Sequence, residues 1–216
     1  ITFKASGPAP WGVFGIVEAP AQSSIRWVQF SNGGDAKVNG MYLSGMLAAH
    51  HSDIRITYSS FSGATADDAL NVKHANAVIT FSDFSRNSAD AIDLDWVTGS
   101  VEDSTFESNG NDGIDISGST LTLVHNIIKH SGDKCISIGE NSHEPLILNS
   151  VLVGCAIGVE GKDSSTPIIL NTVFAKNGIG VHAYQKKEIF GGANVTIANS
   201  IFTENQEDVH ADPGSK

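Results

Sequence analysis

The chain has 216 residues, enough for one sizeable domain or for one elongated array of repeats. Apolar residues make up 40% of it, so a core can form, while 22 glycines point to frequent turns rather than long helices. Acidic residues outnumber basic ones 24 to 13, and the net charge of −11 argues against binding of nucleic acid or of an anionic membrane through a basic surface.

The chain begins at Ile1, with neither an initiator Met nor a signal peptide. We therefore expect residues 1–216 to form a single domain that was processed or excised from a longer protein. No apolar run is long enough to span a bilayer, so no membrane insertion is expected. The two cysteines, Cys135 and Cys155, form no metal-binding motif and leave the redox compartment open.

A repeat of about 22 residues runs along the chain. Its first column reads DALNVK (68–73), DAIDLD (90–95), DGIDIS (112–117), KCISIG (134–139), AIGVE (156–160) and IGVHA (179–183). A second column follows each of these, as in VITFSDFSRN, SVEDSTFESN and TLTLVHNIIKH. Upstream, IRWVQFSNGG and IRITYSSFSG read as the same second column in longer turns.

Apolar and polar residues alternate within the first column, as in Leu70-Asn71-Val72. This period of two predicts a strand with one buried face. Short strands separated by Gly and Asn turns, repeated about every 22 residues, predict an all-β parallel β-helix, a solenoid of stacked rungs. Leucine-rich repeats have a similar period but need a Leu/Asn pattern that is missing, and a helical solenoid would need a period of about 3.6.

Stacked rungs lie about 4.8 Å apart, so equivalent residues should form ladders on the outer face. The predicted ladders bring acidic residues together, although like charges on neighbouring strands are destabilising. Lys73 can reach Asp95, and Lys134 can reach Asp112. No basic partner is evident for the remaining acids of the column, Asp90, Asp93 and Asp115.

A hard cation would compensate this charge, since Ca²⁺ takes about six to eight oxygens from carboxylates, amides and carbonyls. The alternative is a ladder that is merely hydrated and bound by monovalent ions. No His/Cys cluster competes for a softer metal. The predicted Ca²⁺ ligands are Asn71, Asp90, Asp93, Asp95, Asp112 and Asp115.

Lys134 and Lys162 are the candidate catalytic residues. A lysine beside a metal can act as a general base, because positive charge and desolvation lower its pKa. Carboxylates around Lys134 would instead raise its pKa and make it a structural ion-pair partner. Trp96 is a candidate substrate-binding residue, either as a stacking surface for a sugar or as a residue that packs in the turn. The insertion AYQKKEIFGG either forms the edge of a groove or is a plain surface loop. Its candidate substrate-binding residues are Tyr184, Lys186 and Lys187.

The stretch NDGIDISGSTLTLVHNIIKHSGDKCISIGEN resembles the coils of right-handed β-helix proteins of the pectate-lyase-like superfamily. DGIDIS is similar to a sequence motif of polygalacturonases. That family has GDDC where this chain has GDKC, so Lys134 replaces the second catalytic carboxylate. Together, PWGVFGIV, YLSGMLAAHHSDIRI, DAIDLDW and EGKDSS look like the β-helix region of bacterial surface proteins associated with the spore-coat H family. The resemblance implies an arrangement like that of calcium-dependent polysaccharide lyases, in which Asp-rich rungs surround Ca²⁺ and a lysine is the base. The positions that would match it here are Asp90, Asp93, Asp112, Asp115 and Lys134.

The resemblance and the acidic ladders together lead to the expected function. We expect a secreted or cell-surface solenoid that binds Ca²⁺ and, through it, recognises an acidic polysaccharide of the pectin or uronate type. The first alternative is a Ca²⁺-dependent lyase acting by β-elimination, with Lys134 as base. The second alternative is a structural or adhesive solenoid that Ca²⁺ only stiffens.

Overall fold

The structure, a computed structural model, describes residues 1–216, and every regular element in it is a β-strand. It contains no helix long and apolar enough to cross a membrane. Three parallel sheets run along the molecule, and a separate antiparallel hairpin pairs Ala36–Val38 with Met41–Leu43. Sheet 1 consists of Thr2–Lys4, Gln29–Ser31, Ser60–Ser62, Asp83–Ser85, Thr105–Glu107, Ile127–Lys129, Val151–Val153, Val173–Ala175 and Ile201–Thr203.

Sheets 2 and 3 complete each turn of the coil. Sheet 2 consists of Phe14–Val17, Gly45–His50, Asp68–Lys73, Asp90–Asp95, Ile114–Ser117, Lys134–Gly139, Ile157–Lys162, Ile179–Tyr184 and Glu207–Ala211. Sheet 3 consists of Ser23–Arg26, Ile54–Thr57, Asn76–Thr80, Thr98–Glu102, Thr120–Val124, Leu146–Leu148, Ile168–Leu170 and Thr196–Ala198.

The chain passes from sheet 2 to sheet 3 to sheet 1 and then begins the next turn directly above the last. Residues 22 apart are therefore paired in register, as Leu70 is with Ile92 and Ile92 with Ile114. The predicted parallel β-helix and its ladders are confirmed.

The core consists of ladders of like residues stacked along the axis. The central residue of each sheet 1 strand points inward, and five of these are buried phenylalanines: Phe174 and, on four successive strands, Phe30, Phe61, Phe84 and Phe106. Their neighbouring ring centroids are 5.0, 4.7 and 5.0 Å apart, with planes within 13° of parallel. Aliphatic side chains of sheets 2 and 3 fill the rest of the interior.

Polar ladders satisfy the backbone at the turns. The Ser82 hydroxyl accepts the N–H of Ser59 at 3.2 Å and donates to the carbonyl of Thr80 at 2.9 Å. The Asn109 side-chain oxygen accepts from the Asn87 side chain at 2.8 Å. Because buried backbone groups need partners, these repeated Ser and Asn residues allow tight turns inside a closed core.

A disulfide joins Cys135 to Cys155, 20 residues later, and so links one rung to the next. Replacing both cysteines by serine should lower the free energy of unfolding by about 3 kcal/mol, because the bond restricts the unfolded chain over a loop of this size. Urea denaturation with and without reductant measures this effect. Reductant should shift the midpoint of the wild type and leave that of the double variant unchanged. Equal midpoints for all four samples would contradict the prediction.

Candidate functional site

The outer face of sheet 2 carries the polar ladders, in three parallel rows. The central row places Asn71, Asp93, Asp115, Ser137, Glu160 and His182 on successive strands. On one side lies the turn row of Asp68, Asp90, Asp112 and Lys134. On the other side lies the distal row, with Lys73, Asp95 and Ser117 at one end and Lys162 and Tyr184 at the other.

The turn row caps the starts of the strands. Asp90 Oδ1 accepts the backbone N–H of Asp112 and the side-chain amide of Asn111, both at 2.7 Å. Asp112 Oδ1 accepts the backbone N–H of Lys134 at 2.9 Å. These hydrogen bonds occupy one oxygen of each carboxylate, so the capping role accounts for Asp90 and Asp112 without a metal. As Ca²⁺ ligands both residues stay predictions, because these bonds leave the second oxygen of each carboxylate unused.

Burial of the turn row changes its protonation. Desolvation raises the pKa of Asp68 to about 7, against the hydrogen bond from the Ser44 hydroxyl. It also raises the pKa of Asp90 to about 7 and that of Asp112 to about 6. Near neutral pH these carboxyls are therefore poised between the charged and the neutral form.

Two further predicted ligands are already engaged. Lys73 Nζ lies 2.7 Å from Asp95 Oδ2, which confirms the expected ion pair. Asn71 Oδ1 lies 2.6 Å from His50 Nε2, and its Nδ2 donates to Asp93 Oδ2 at 2.8 Å. The Asn71 amide thus turns its donor toward Asp93 and its oxygen toward His50, and its role as a Ca²⁺ ligand stays a prediction. The charge of Asp95 is compensated by Lys73.

Asp93 and Asp115 remain as an uncompensated pair in the centre of the face. They are paired across neighbouring strands, and neither forms a salt bridge. Desolvation, followed by the charges of Asp68, Asp95 and Asp115, raises the pKa of Asp93 well above its ordinary value. Asp115 Oδ1 is buried and has no hydrogen-bond partner. Because buried polar atoms normally have partners, this oxygen is free to accept a bond from a water molecule, a donor group or a cation.

Lys134 sits among carboxylates. Its ammonium contacts Asp133 and lies 3.7 Å from Asp112 Oδ1 and 3.8 Å from Glu160 Oε1. Burial alone would lower the pKa of Lys134, but the hydrogen bond to Asp133 and the charges of Asp112 and Glu160 raise it above the ordinary value. A lysine held in the charged form is a poor general base. The structure therefore favours the ion-pair alternative.

Lys162 is buried and held in place at the other end of the face. Its ammonium donates to the Ser137 hydroxyl and lies 3.9 Å from Glu160 Oε1. Its alkyl chain crosses Gly139, where an added Cβ would meet Lys162 Cε at 2.8 Å. A larger residue at that position would require the lysine side chain to shift.

The insertion after Tyr184 is anchored rather than free. Asp163 Oδ1 accepts the backbone N–H groups of Lys186 and Lys187 at 2.8 and 2.7 Å. The Lys187 ammonium pairs with Glu140, whereas the Lys186 side chain is exposed. Tyr184 stacks on His182, with ring centroids 4.9 Å apart. Of the predicted loop residues, Tyr184 and Lys186 are thus the ones available to a ligand.

Trp96 is 52% exposed, but its ring faces are covered along the axis. His74 stacks on one face at 4.7 Å, and a Cβ at Gly118 on the next rung would lie 2.8 Å from Trp96 Nε1. This arrangement favours the packing alternative for Trp96, and its role as a sugar-stacking surface stays a prediction.

Sequence reasoning missed Glu160 and His182, which continue the central row. Glu160 follows Ser137 by 23 residues rather than 22, so the row slips by one in the sequence. Extending the Asn71–Asp93–Asp115 column through that slip would have found both residues.

Comparisons with known proteins agree with this architecture. A family model described as "Right handed beta helix region" matches residues 23–152 and 68–212. No curated protein matches the chain in sequence.

Several solved structures share the fold. A periplasmic alginate epimerase, AlgG, is 12% identical, with a TM-score of 0.66 over 88% of this chain and 51% of its own. Pectate lyase Pel9A is 10% identical, with a TM-score of 0.62 over 98% of this chain and 68% of its own. The catalytic domain of a GH87 α-1,3-glucanase in complex with tetrasaccharides is 9% identical, with a TM-score of 0.55 over 94% and 55%. The chain thus spans about half the length of the alginate epimerase and of the glucanase.

Proposed function

Since the chain belongs to the right-handed β-helix family, we propose that it binds an acidic polysaccharide on the outer face of sheet 2. Ca²⁺ held by Asp93 and Asp115 would link these carboxylates to those of the sugar. The observation that carries the proposal is the pairing of Asp93 with Asp115 without a basic partner, next to a buried Asp115 oxygen that lacks a hydrogen bond. When bound, Ca²⁺ supplies positive charge with flexible oxygen coordination.

The charge of the protein supports a bridging ion. With a net charge of −11, the chain repels a polyanion unless a cation lies between them. Lys186, exposed at the far end of the same face, and the half-buried Tyr184 offer a positive charge and a ring to a glycan that extends along the rows.

Polysaccharide as the ligand class is supported by the proteins that share the fold, since the names of two of them refer to alginate and pectate. The epimerase is described as periplasmic, and a disulfide also favours an oxidising compartment. We accordingly place the protein outside the cytoplasm, secreted or at the cell surface.

A polysaccharide lyase acting by β-elimination is the second candidate. It is favoured by two lysines, Lys134 and Lys162, on the face that carries the carboxylates. The raised pKa of Lys134 places binding first, because a lyase base must be neutral when it removes the proton.

The decisive experiment measures retention of the protein on polygalacturonate and alginate, with and without Ca²⁺, while ultraviolet absorbance follows unsaturated products. We expect Ca²⁺-dependent retention that falls at least about tenfold in Asp93→Asn and Asp115→Asn, a loss of about 1.4 kcal/mol or more. Asp83→Asn, an exposed change on sheet 1, is the matched control and should bind like the wild type.

The outcomes separate the three functions. Retention that survives a chelator, or no retention at all, contradicts the binding proposal. A rising absorbance that Lys134→Ala or Lys162→Ala abolishes makes the protein a lyase. A melting temperature that depends on Ca²⁺ but not on glycan would indicate that the protein is a structural solenoid.

A further inference from the structure

Two histidines and a carboxylate converge at the last strands of sheet 2. His182 and His210 are paired in register on neighbouring strands, and Asp212 follows on the same edge. Asp212 Oδ1 lies 3.1 Å from His210 Nε2 and 3.7 Å from His182 Nε2. One ligand atom from each residue lies within 4.8 Å of the others.

The other ring nitrogen of each imidazole, Nδ1, contacts a second carboxylate. His182 Nδ1 lies 3.3 Å from Glu160 Oε2, and His210 Nδ1 lies 2.9 Å from Glu207 Oε1. A carboxylate at Nδ1 keeps the proton there and leaves the Nε2 lone pair free, which is how histidine ligands are oriented in metal sites. Both Nε2 atoms face Asp212, so the three donors point at one place.

We propose that His182, His210 and Asp212 form a binding site for a zinc-class divalent ion. Two imidazoles and one carboxylate suit Zn²⁺ and neighbouring first-row ions, whereas Ca²⁺ prefers oxygen ligands alone. Three protein ligands leave a fourth position open to water or to an anionic group of a ligand. All three residues are half-buried, so the ion can enter from solvent.

This site is separate from the Asp93–Asp115 pair. Asp115 and His182 lie on the same row, three strands apart, or roughly 14 Å at about 4.8 Å per strand. Binding of the zinc-class ion therefore does not depend on Ca²⁺ or on the proposed polysaccharide.

The competing explanation is a metal-free ion pair. A protonated His210 would satisfy Glu207 and Asp212 in the same geometry, and the hydrogen bond to Glu207 does raise the pKa of His210. A metal ion must then displace that proton, so binding should release protons. An ion pair alone predicts no stoichiometric metal binding.

The test is a titration of the full chain with Co²⁺ and then Zn²⁺ at about pH 7.5 in millimolar Ca²⁺. Co²⁺ absorption reports the coordination, and the melting temperature reports stability. We expect one equivalent of Co²⁺, displaced by Zn²⁺, and a raised melting temperature. Glu207→Gln should weaken affinity about 10- to 100-fold, and His182→Ala with His210→Ala should abolish binding. His125→Ala, at an exposed turn, is the matched control and should bind normally.

Two results would overturn the proposal. One is the absence of a saturable Co²⁺ signal in the wild type. The other is binding that persists unchanged in the double histidine variant, provided that circular dichroism shows this variant to be folded. Glu207→Gln keeps all three ligands in place and tests the site even if the double variant does not fold.

Discussion

In the absence of calcium, the protein should become more stable as the pH falls from about 8 to about 5. Burial raises the pKa of Asp68 and Asp90 to about 7 and that of Asp112 to about 6, from an ordinary 3.8, and raises that of Asp93 as well. Between the ordinary and the raised pKa values the folded protein binds more protons than the unfolded chain, so stability decreases as the pH rises through the window. A carboxyl whose pKa rises by one on folding changes the free energy of unfolding by about 1.4 kcal/mol, so the combined effect should reach several kcal/mol.

Melting temperatures in chelator across this range measure the effect. Asp90→Asn should flatten the profile, because it removes one titrating group and keeps an oxygen that can accept the N–H of Asp112. Asp83→Asn should leave the profile unchanged. His50, whose pKa burial lowers, opposes the trend below about pH 6.5 but is a single group against four carboxyls. A melting temperature that falls steadily on acidification would contradict the prediction.

Phe84→Ala should lower the free energy of unfolding by about 3–5 kcal/mol. Phe84 is fully buried and stacks between Phe61 and Phe106 at 4.7 and 5.0 Å, so truncation opens a cavity in the middle of the ladder. Urea denaturation gives the midpoint. The matched control is Phe81→Ala, three residues earlier on the surface and 48% exposed, which should cost much less. Similar midpoints for the two variants would show that the ladder does not stabilise the core.

The fold could be predicted from the sequence because its period is regular where the chain is most repetitive. The sequence segments starting at residues 68, 90 and 112 carry the same alternation, and alternation together with spacing determines which residues become neighbours. The ion pair of Lys73 with Asp95 followed directly from that register.

Most of the site chemistry could not be predicted in this way. The orientation of the Asn71 amide is set by His50 on the preceding rung, and the use of Asp90 as a cap is set by the backbone of Asp112. The residue types alone do not predict either contact. The direction in which the pKa of Lys134 moves needed the actual distances to Asp133 and Glu160.

The His182–His210 pair was hidden for a different reason. The insertion after Tyr184 lengthens this turn, so the two histidines are 28 residues apart instead of 22. A repeat pattern with a fixed spacing of 22 residues does not align the two histidines, although they are paired in register on neighbouring strands.

The register of sheet 2 also constrains how the protein can change. Deleting one residue inside a rung would turn the outward acids of the following strand toward the core. Duplicating a complete unit, such as residues 90–111, would preserve every register and add one acidic step to the face. The acidic face can therefore lengthen or shorten only in steps of about 4.8 Å, each the gain or loss of one complete repeat unit.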